Sequence, residues 1–388
     1  VANPAAHTFD HLLVGGGLQN GLIAWLLLKR DPKARVALVE AGDGLGANHT
    51  WSYHATDVPE EHEAEIAPLA QYAWNSYQVH FPRFMREVRL GYRSLHSSHL
   101  DQLLRRQFLR SPNARLILNT RATEVHGDRV VLETGEILRG RTVIEACGLA
   151  LDSSPQAATG YQKFVGLEFQ LGSPGRVRVP ILMDACVPQE DGFRFFYVLP
   201  YAPDRVLIED TRFSECPDLD VAALEASVLD YATELRYDVK AIIRRESGVL
   251  PMPWTARKDW PTAMPMAAGY GGGFIHPATG YSFPVALRVA LHVAATAPGS
   301  PLGPSWEQFL ARHQKQYRFA AFLNRLLFTA YEPQDRYHIF KRFYHQPEAS
   351  IARFYRMSLE RGDMARMFTG RPPRGFSVKR MVRGALHR

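Results

Sequence analysis

The chain has 388 residues, 46% hydrophobic and 22% charged, an ordinary globular composition that excludes a disordered or low-complexity protein. Its length suits about two to three domains. No apolar run approaches the roughly 20 residues that cross a bilayer, the longest being Leu22 to Leu28, and no secretory leader pattern opens the chain, so a cytoplasmic location is expected. The net charge of +7 is uneven: residues 315–388 carry 16 Lys/Arg against 5 Asp/Glu, which places the whole positive excess there. Cys147, Cys186 and Cys216 are far apart, with no C-x-x-C and no histidine pairing. They read as small buried residues rather than a redox or zinc site.

In chain order, Phe9 to Val14 reads as a buried strand, Gly15-Gly16-Gly17 as a tight turn, Leu18 onward as a helix, and Val36 to Val39 as a second strand ending on Glu40. This is the first half of a dinucleotide-binding unit. Gly15 permits the sharp turn, Gly17 permits close approach of a pyrophosphate, and the helix starting at Leu18 aims unpaired N–H groups at it. Glu40, 23 residues after Gly17, is placed to accept hydrogen bonds from a ribose. The third glycine of the usual G-x-G-x-x-G falls on Asn20, with Gly21 one residue late.

Gly42 to Trp51 reads as a loop over the top of the sheet, and the polar stretch to Asn75 as a helical excursion. Tyr77 to Phe81 is a weak strand. A helix is expected over Ser97–Leu109, then a meander of short strands over Arg115–Leu118, Ala122–His126, Arg129–Glu133 and Glu136–Leu138. Val125 in that meander is a candidate cofactor contact. Val143 to Gly148 is a further buried strand whose end, Cys147-Gly148, suits a second close approach to the nucleotide.

From Gln162 the chain turns β-rich and aromatic, with strands over Phe164–Leu171, Ile181–Met183, Phe193–Leu199 and Val206–Thr211. A helix follows over Asp218–Leu235, then a strand over Ile242–Leu250. Gly271 to Ser282 opens a helix over Pro284–Ala295. Helices over Trp306–Ala330 and Arg336–Tyr344 precede shorter basic ones to the end.

Gly273, His276, Pro277, Thr279 and Gly280 form a second glycine-rich helix start about 260 residues after the first. One nucleotide uses two such starts when it is long. FAD fits: one start faces its pyrophosphate, the other the edge of its ring where negative charge gathers on reduction. A plain helix cap is the competing reading, and His276 is either a flavin-edge group or a satisfied core histidine. Glu209 and Asp210 end an aromatic strand and must point to opposite faces. In an apolar cavity a carboxyl keeps its proton at neutral pH and can act as an acid; the alternative, favoured by the residues alone, is a pair of surface acids. The C-terminal Arg342-Phe343-Tyr344, Arg353-Phe354-Tyr355-Arg356-Met357 and Met364-Ala365-Arg366-Met367-Phe368 suit an anionic membrane interface ahead of a solvated cap, and no nucleic-acid module is present.

The chain resembles the bacterial lycopene beta-cyclase family, flavin-dependent carotenoid cyclases with a p-hydroxybenzoate hydroxylase-like fold. The resemblance rests on the Val14 to Ala24 turn, the loop Asn48 to His54, Ile181 to Ala185, and Phe193 to Pro200. It also rests on Leu207-Ile208-Glu209-Asp210-Thr211 and Phe274 to Ser282. It implies an α/β fold: a Rossmann-type FAD-binding domain (1–160, returning at 256–300), an inserted antiparallel β-sheet substrate domain (161–255), and a basic helical C-terminal region (301–388). It implies reduced FAD, NAD(P)H as the electron source, and a peripheral position on the inner face of the membrane. The implied reaction closes the linear ends of lycopene into β-ionone rings, to β-carotene via γ-carotene, without net redox change. Its essential acidic residue maps onto Glu209, with Asp210 beside it. His99 stands where the family would have an arginine, leaving that flavin contact open. An FAD-dependent monooxygenase or dehydrogenase of a hydrophobic substrate is the alternative, and a flavin-bearing carotenoid-binding protein without turnover is a third reading.

Overall fold

A computed structural model describes residues 8–148, 159–377 and 379–381. The outer ends of the first and last expected regions therefore lie outside the described residues. In chain order the strands are β1 (Thr8–Val14), β2 (Val36–Val39), β3 (Thr50–His54), β4 (Tyr72–Trp74), β5 (Tyr77–Phe81), β6 (Phe84–Val88), β7 (Tyr92–His96), β8 (Arg115–Ile117), β9 (Ala122–Val125), β10 (Arg129–Leu132), β11 (Ile137–Glu145), β12 (Thr159–Leu171), β13 (Ile181–Asp184), β14 (Phe193–Ala202), β15 (Arg205–Ser214), β16 (Val239–Pro253) and β17 (Met266–Ala267). The helices are α1 (Leu18–Arg30), α2 (Glu63–Ile66), α3 (Ser97–Leu109), α4 (Val221–Glu234), α5 (Phe283–Ala295), α6 (Pro304–Ala330), α7 (Tyr337–Phe343), α8 (Glu348–Tyr355) and α9 (Arg361–Phe368).

The first sheet runs β8-β2-β1-β11-β10-β9, with β17 also on β11. Its centre is parallel, and β9 and β10 add antiparallel at one edge. Helix α1 is buried from Leu18 to Leu28, which explains the long apolar run: it is covered on all sides rather than on one stripe. Gln19 Nε2 donates to Ala286 O of α5 at 3.0 Å, so the two helix starts expected from the glycine motifs stand side by side.

The second sheet runs β16-β12-β15-β14-β13-β5-β6 and is antiparallel except where β5 meets β13. Its two faces have different cover. Val206 and Ile208 join Val228 and Tyr231 of α4 in one apolar cluster. Leu207 and Phe213 join the C-terminal helices in another, with Leu327, Phe328, Phe354 and Tyr355. The alternation of a β-strand produces this division.

Four expectations are corrected. The stretch to Asn75 is not a helix beyond short turns and the four-residue α2; β3 and β4 instead flank β7 in a small antiparallel sheet. The charged run Glu60 to Glu65 hides strands whose buried residues, Tyr53 and His54, lie on one side of it. Strands β5 and β6 belong to the second sheet, so that sheet also draws on chain before residue 160. The last meander strand and the strand at Val143 are one continuous β11, whose alternating charged residues Arg139 and Arg141 face outward. The three cysteines are exposed, not buried.

The displaced third glycine has a physical solution. Asn20 is fully buried and its Nδ2 donates to Val14 O and Gly15 O, both at 2.9 Å, closing the turn with a side chain. Gly21 faces α3, where an added Cβ would lie 3.1 Å from Leu100 Cδ2. Gly15 has φ +92°, and a Cβ there would sit 2.6 Å from Ala146 O. We expect Asn20→Ala to cost about 1–3 kcal/mol in chemical denaturation by stranding a buried carbonyl, with Gly15→Ala costing more because its obstacle is backbone.

Candidate active site

Two sites are built at the seam between the sheets. The first gathers Gly15, Gly17, Leu18, Asn20, Cys147 and Gly148 at the ends of β1 and β11, where Gly15 lies against the Ala146–Cys147 backbone. Helix α1 starts at Gly17 without a side-chain cap, and a Cβ on Gly17 would meet nothing within 4 Å. Gly148, at φ +89°, is equally open. Glu40 holds the turn itself, accepting from Gly16 N at 2.6 Å and Gly42 N at 2.7 Å. Asn20 Oδ1, Gln19 Oε1 and Gln162 Oε1 are buried without a hydrogen-bond partner. Uncapped helix N–H groups, glycines with clear approach and orphaned acceptors fit a large dinucleotide such as FAD. Val125 stands apart, packed under the edge of the first sheet against the Phe9 and Val14 cluster.

The second helix start is a tightly tied turn. Gly280 N and Thr279 N both donate to His276 O, and His276 N donates to Tyr281 O. His276 Nδ1 accepts from Ala278 N at 3.1 Å, and its ring meets Phe354 edge-on at 4.6 Å. Burial pushes its pKa down to about 3, so the ring is neutral. His276 is thus a satisfied core histidine that shapes the turn. Pro277 O accepts from Asn324 Nδ2 at 2.8 Å, fastening the turn to α6. Gly280, at φ +68°, lies next to Gln162 and Leu250 of the second sheet. His99 does not enter the site; its Nε2 lies 3.1 Å from Pro68 O.

A loop joins this site to the second one. Gly46 N donates to Gly16 O at 2.9 Å, and four residues on, Thr50 Oγ1 donates to Glu246 Oε2 of β16 at 2.9 Å. Asn48 also bonds Arg245 O.

At the second site Glu209 and Asp210 separate as strand geometry requires. Asp210 faces α4, fully buried: it accepts from Arg194 Nη2 and Arg212 Nη2 at 3.0 Å each and from Ser227 Oγ at 2.9 Å. Its charge is met by two guanidiniums of the sheet, and the Ser227 hydroxyl ties it to α4. Phe196 lies on that side too, stacked on Tyr231. Glu209 faces the other way, with Tyr197 and Gly166 as its cross-strand neighbours, and accepts from Thr211 Oγ1 at 2.5 Å. Protein encloses it, leaving only partial contact with solvent. Desolvation first and the Glu246 charge second push its pKa up to about 8, against the lowering effect of the Thr211 hydrogen bond and Arg244. It is a carboxylic acid at neutral pH.

The Glu209 face is aromatic. Phe193, Phe195 and Phe213 pack with Phe340 of α7, whose ring stacks on Phe193 at 4.1 Å. On this side of the sheet the C-terminal helices line a cavity of about 340 Å³ whose walls include the exposed Phe322 and Phe368 and, from the turn after His276, Ala278 and Thr279. Its lining is nearly all apolar and includes Met183, Leu327 and Phe343; Glu209 itself is not part of it. The residue that sequence reading missed is Glu246. Its signal was available in the alternation Arg244-Arg245-Glu246, but its partners come from distant strands.

Residues 10–381 match the family model described as lycopene cyclase protein. The lycopene beta-cyclase of Pseudescherichia vulneris is 40% identical over 369 residues, covering 94% of each chain. That of Pantoea ananas is 36% identical, covering 94% of this chain and 95% of its own. Among solved structures the fold is similar to P. aeruginosa PqsL (18% identity, 87% and 100% of the chains, TM-score 0.63) and to the flavin-dependent brominase Bmp2 (11% identity, 98% of both, TM-score 0.61). With a family match over nearly its full length, the chain belongs to the lycopene cyclase family.

Proposed function

We propose that this protein is a lycopene beta-cyclase that closes the linear ends of lycopene into β-ionone rings by proton-initiated isomerisation, with Glu209 as the acid. The observation that carries the reading is a desolvated carboxyl without a cation partner on the aromatic face of the second sheet, the face that also carries the apolar cluster with the C-terminal helices. Glu209 gives its proton to a terminal alkene carbon of the substrate. The tertiary cation is attacked by the neighbouring double bond, and the ring cation then loses one proton. One proton enters and one leaves, so no electrons are exchanged. Phe195, Tyr197 and neighbouring rings offer π-faces to the passing cation, and the apolar wall excludes water that would trap it as an alcohol.

FAD belongs at the glycine turn, with Gly15, Gly17, Leu18, Asn20, Cys147, Gly148, Pro277, Thr279 and Gly280 as its contacts and His276 shaping the second turn from within; Glu40, occupied by two backbone amides, retains lone pairs for a ribose. When bound in its reduced form, FAD supplies negative charge that steadies a nearby cation, and NAD(P)H is the reductant that primes it. Asp210 takes a structural part, fixing β15 so that Glu209 points to the aromatic face of the sheet.

The substrate is a long hydrocarbon, which favours delivery from a membrane. Among the described residues no helix is long and apolar enough to cross one. Much of the C-terminal basic character has other employment: Arg336 is fully buried, Arg353 and Arg366 hold Asp363, and Arg342 bonds Thr369 O and Arg371 O. The membrane contact we propose is therefore narrower. Phe322 and Phe368, 44% and 50% exposed with rings 6.0 Å apart, flank the cavity mouth, so the end group passes directly from lipid to the aromatic face.

Anaerobic incubation with lycopene and pre-reduced FAD is expected to yield a cyclised product of identical mass, with reductant consumed only in priming. A product heavier by oxygen, or reductant used in proportion to product, favours the monooxygenase alternative. Glu209→Gln should lower turnover by about 10²–10⁴-fold; wild-type turnover removes its assignment as the acid. Because the acid form is the active one, kcat should fall as pH rises through about 8. Exchanging both Phe322 and Phe368 for Ser should weaken sedimentation with anionic vesicles by more than about tenfold, each ring contributing about 1.5–3 kcal/mol when buried in lipid.

A further inference from the structure

Glu246 lies across a single glycine from Glu209. In the order β16-β12-β15, Glu246 and Glu209 each sit directly opposite Gly166 of the strand between them. All three therefore share one face. A Cβ at position 166 would lie 3.0 Å from Glu246 Cγ and 3.4 Å from Glu246 Oε1, so the Glu246 side chain leans over the glycine toward Glu209. No larger residue permits that approach without displacing it.

The charges around the pair are closed to outside compensation. Glu246 accepts from Arg244 Nη1 at 2.7 Å and from Thr50 Oγ1 at 2.9 Å. Arg244 also donates to Glu168 Oε2 at 2.7 Å, and Glu168, fully buried on β12, bonds Arg205 as well. His96 of β7 and His49 of the bridging loop face the same cluster, and burial lowers the pKa of both, to about 4 for His96. Tyr201 of β14 adds only a phenol held well above its usual range by burial. Asp210 and Arg245 point to the other face, where Arg194, Arg212 and Glu225 pair them. Three carboxyls, Glu168, Glu209 and Glu246, thus face two guanidiniums, Arg205 and Arg244. The cluster is neutral only when one carboxyl carries a proton, and Glu209 is the one without a cation partner.

We propose that Glu246 is a positioning residue for the acid step: its ion-paired carboxylate, brought over Gly166, holds the proton on Glu209 until the alkene arrives. This rests on the reading of Glu209 as the acid. The same negative charge stands near the face where the substrate cation forms, so it favours the charged intermediate as well as the proton store.

The test is the pH dependence of the intact protein. Because the folded pKa of Glu209 lies above its ordinary value of 4.5, its contribution to stability is fully present below about 4.5 and is lost as pH rises through about 8. Glu246→Gln keeps the shape and removes the charge. It should move the midpoint of that loss, read as Tm against pH, down by about one unit or more, and carry the alkaline limb of kcat with it. Glu246→Asp, which restores the charge, should recover most of the shift. In a Glu209→Gln background the Glu246→Gln change should produce no further shift. Unmoved midpoints in Glu246→Gln, or an equal shift in the Glu209→Gln background, overturn the proposal. The Tm midpoint needs no turnover, so it reports the pairing even if Glu209→Gln proves fully active and the acid assignment falls.

Discussion

Everything in the second site depends on a carboxyl that cannot afford to ionise where it stands. Glu209 is desolvated, has a second carboxylate one glycine away, and receives one neutral hydrogen bond from Thr211. Its neighbour Asp210 is more deeply buried, yet accepts from two guanidiniums and a serine. Adjacent residues of one strand thus become a desolvated carboxyl without a cation and a structural ion pair, because successive side chains leave opposite faces. A slip of one residue in register would exchange the two roles. Pairing β15 with both β12 and β14 over most of its length guards against that slip.

The first site is set by a different constraint, the need to turn a buried strand into a helix start with no side chain in the way. Gly15 supplies the left-handed backbone, and Asn20 replaces the missing glycine by bonding the turn carbonyls. Gln19 then ties α1 to α5. The loop from Gly46 to Thr50 links this turn to Glu246, so the glycine turn and the acid cluster are joined by five residues of backbone with a hydrogen bond at each end.

Local patterns made much of this legible. The glycine turn, its helix, the aromatic strands and the late helix start at Phe283 each have a chemical signature within about ten residues. What was not legible came from contacts between distant segments. The strands at Thr50 and Tyr72 were masked by charged residues whose turn conformation is local to them. The pairing of Tyr77 with the second sheet depends on β13, more than a hundred residues later. The surroundings of His276 are set by Phe354, from the C-terminal helices, a contact that no local pattern around residue 276 displays. Glu246 is inconspicuous in sequence because a carboxylate on a charged strand is common, and only Gly166 between it and Glu209 sets it apart. The basic C-terminal tract looked uniform in sequence, although several of its arginines are consumed by internal carboxylates and carbonyls.

The central claim is that ring closure begins with a proton delivered by the protein and ends with the loss of another. Running the reaction in D₂O with reduced cofactor and weighing the product tests it most directly. The account predicts one deuterium retained for each ring formed and no other change in mass. A cyclised product without deuterium, or one that has gained oxygen or lost hydrogen, would contradict it.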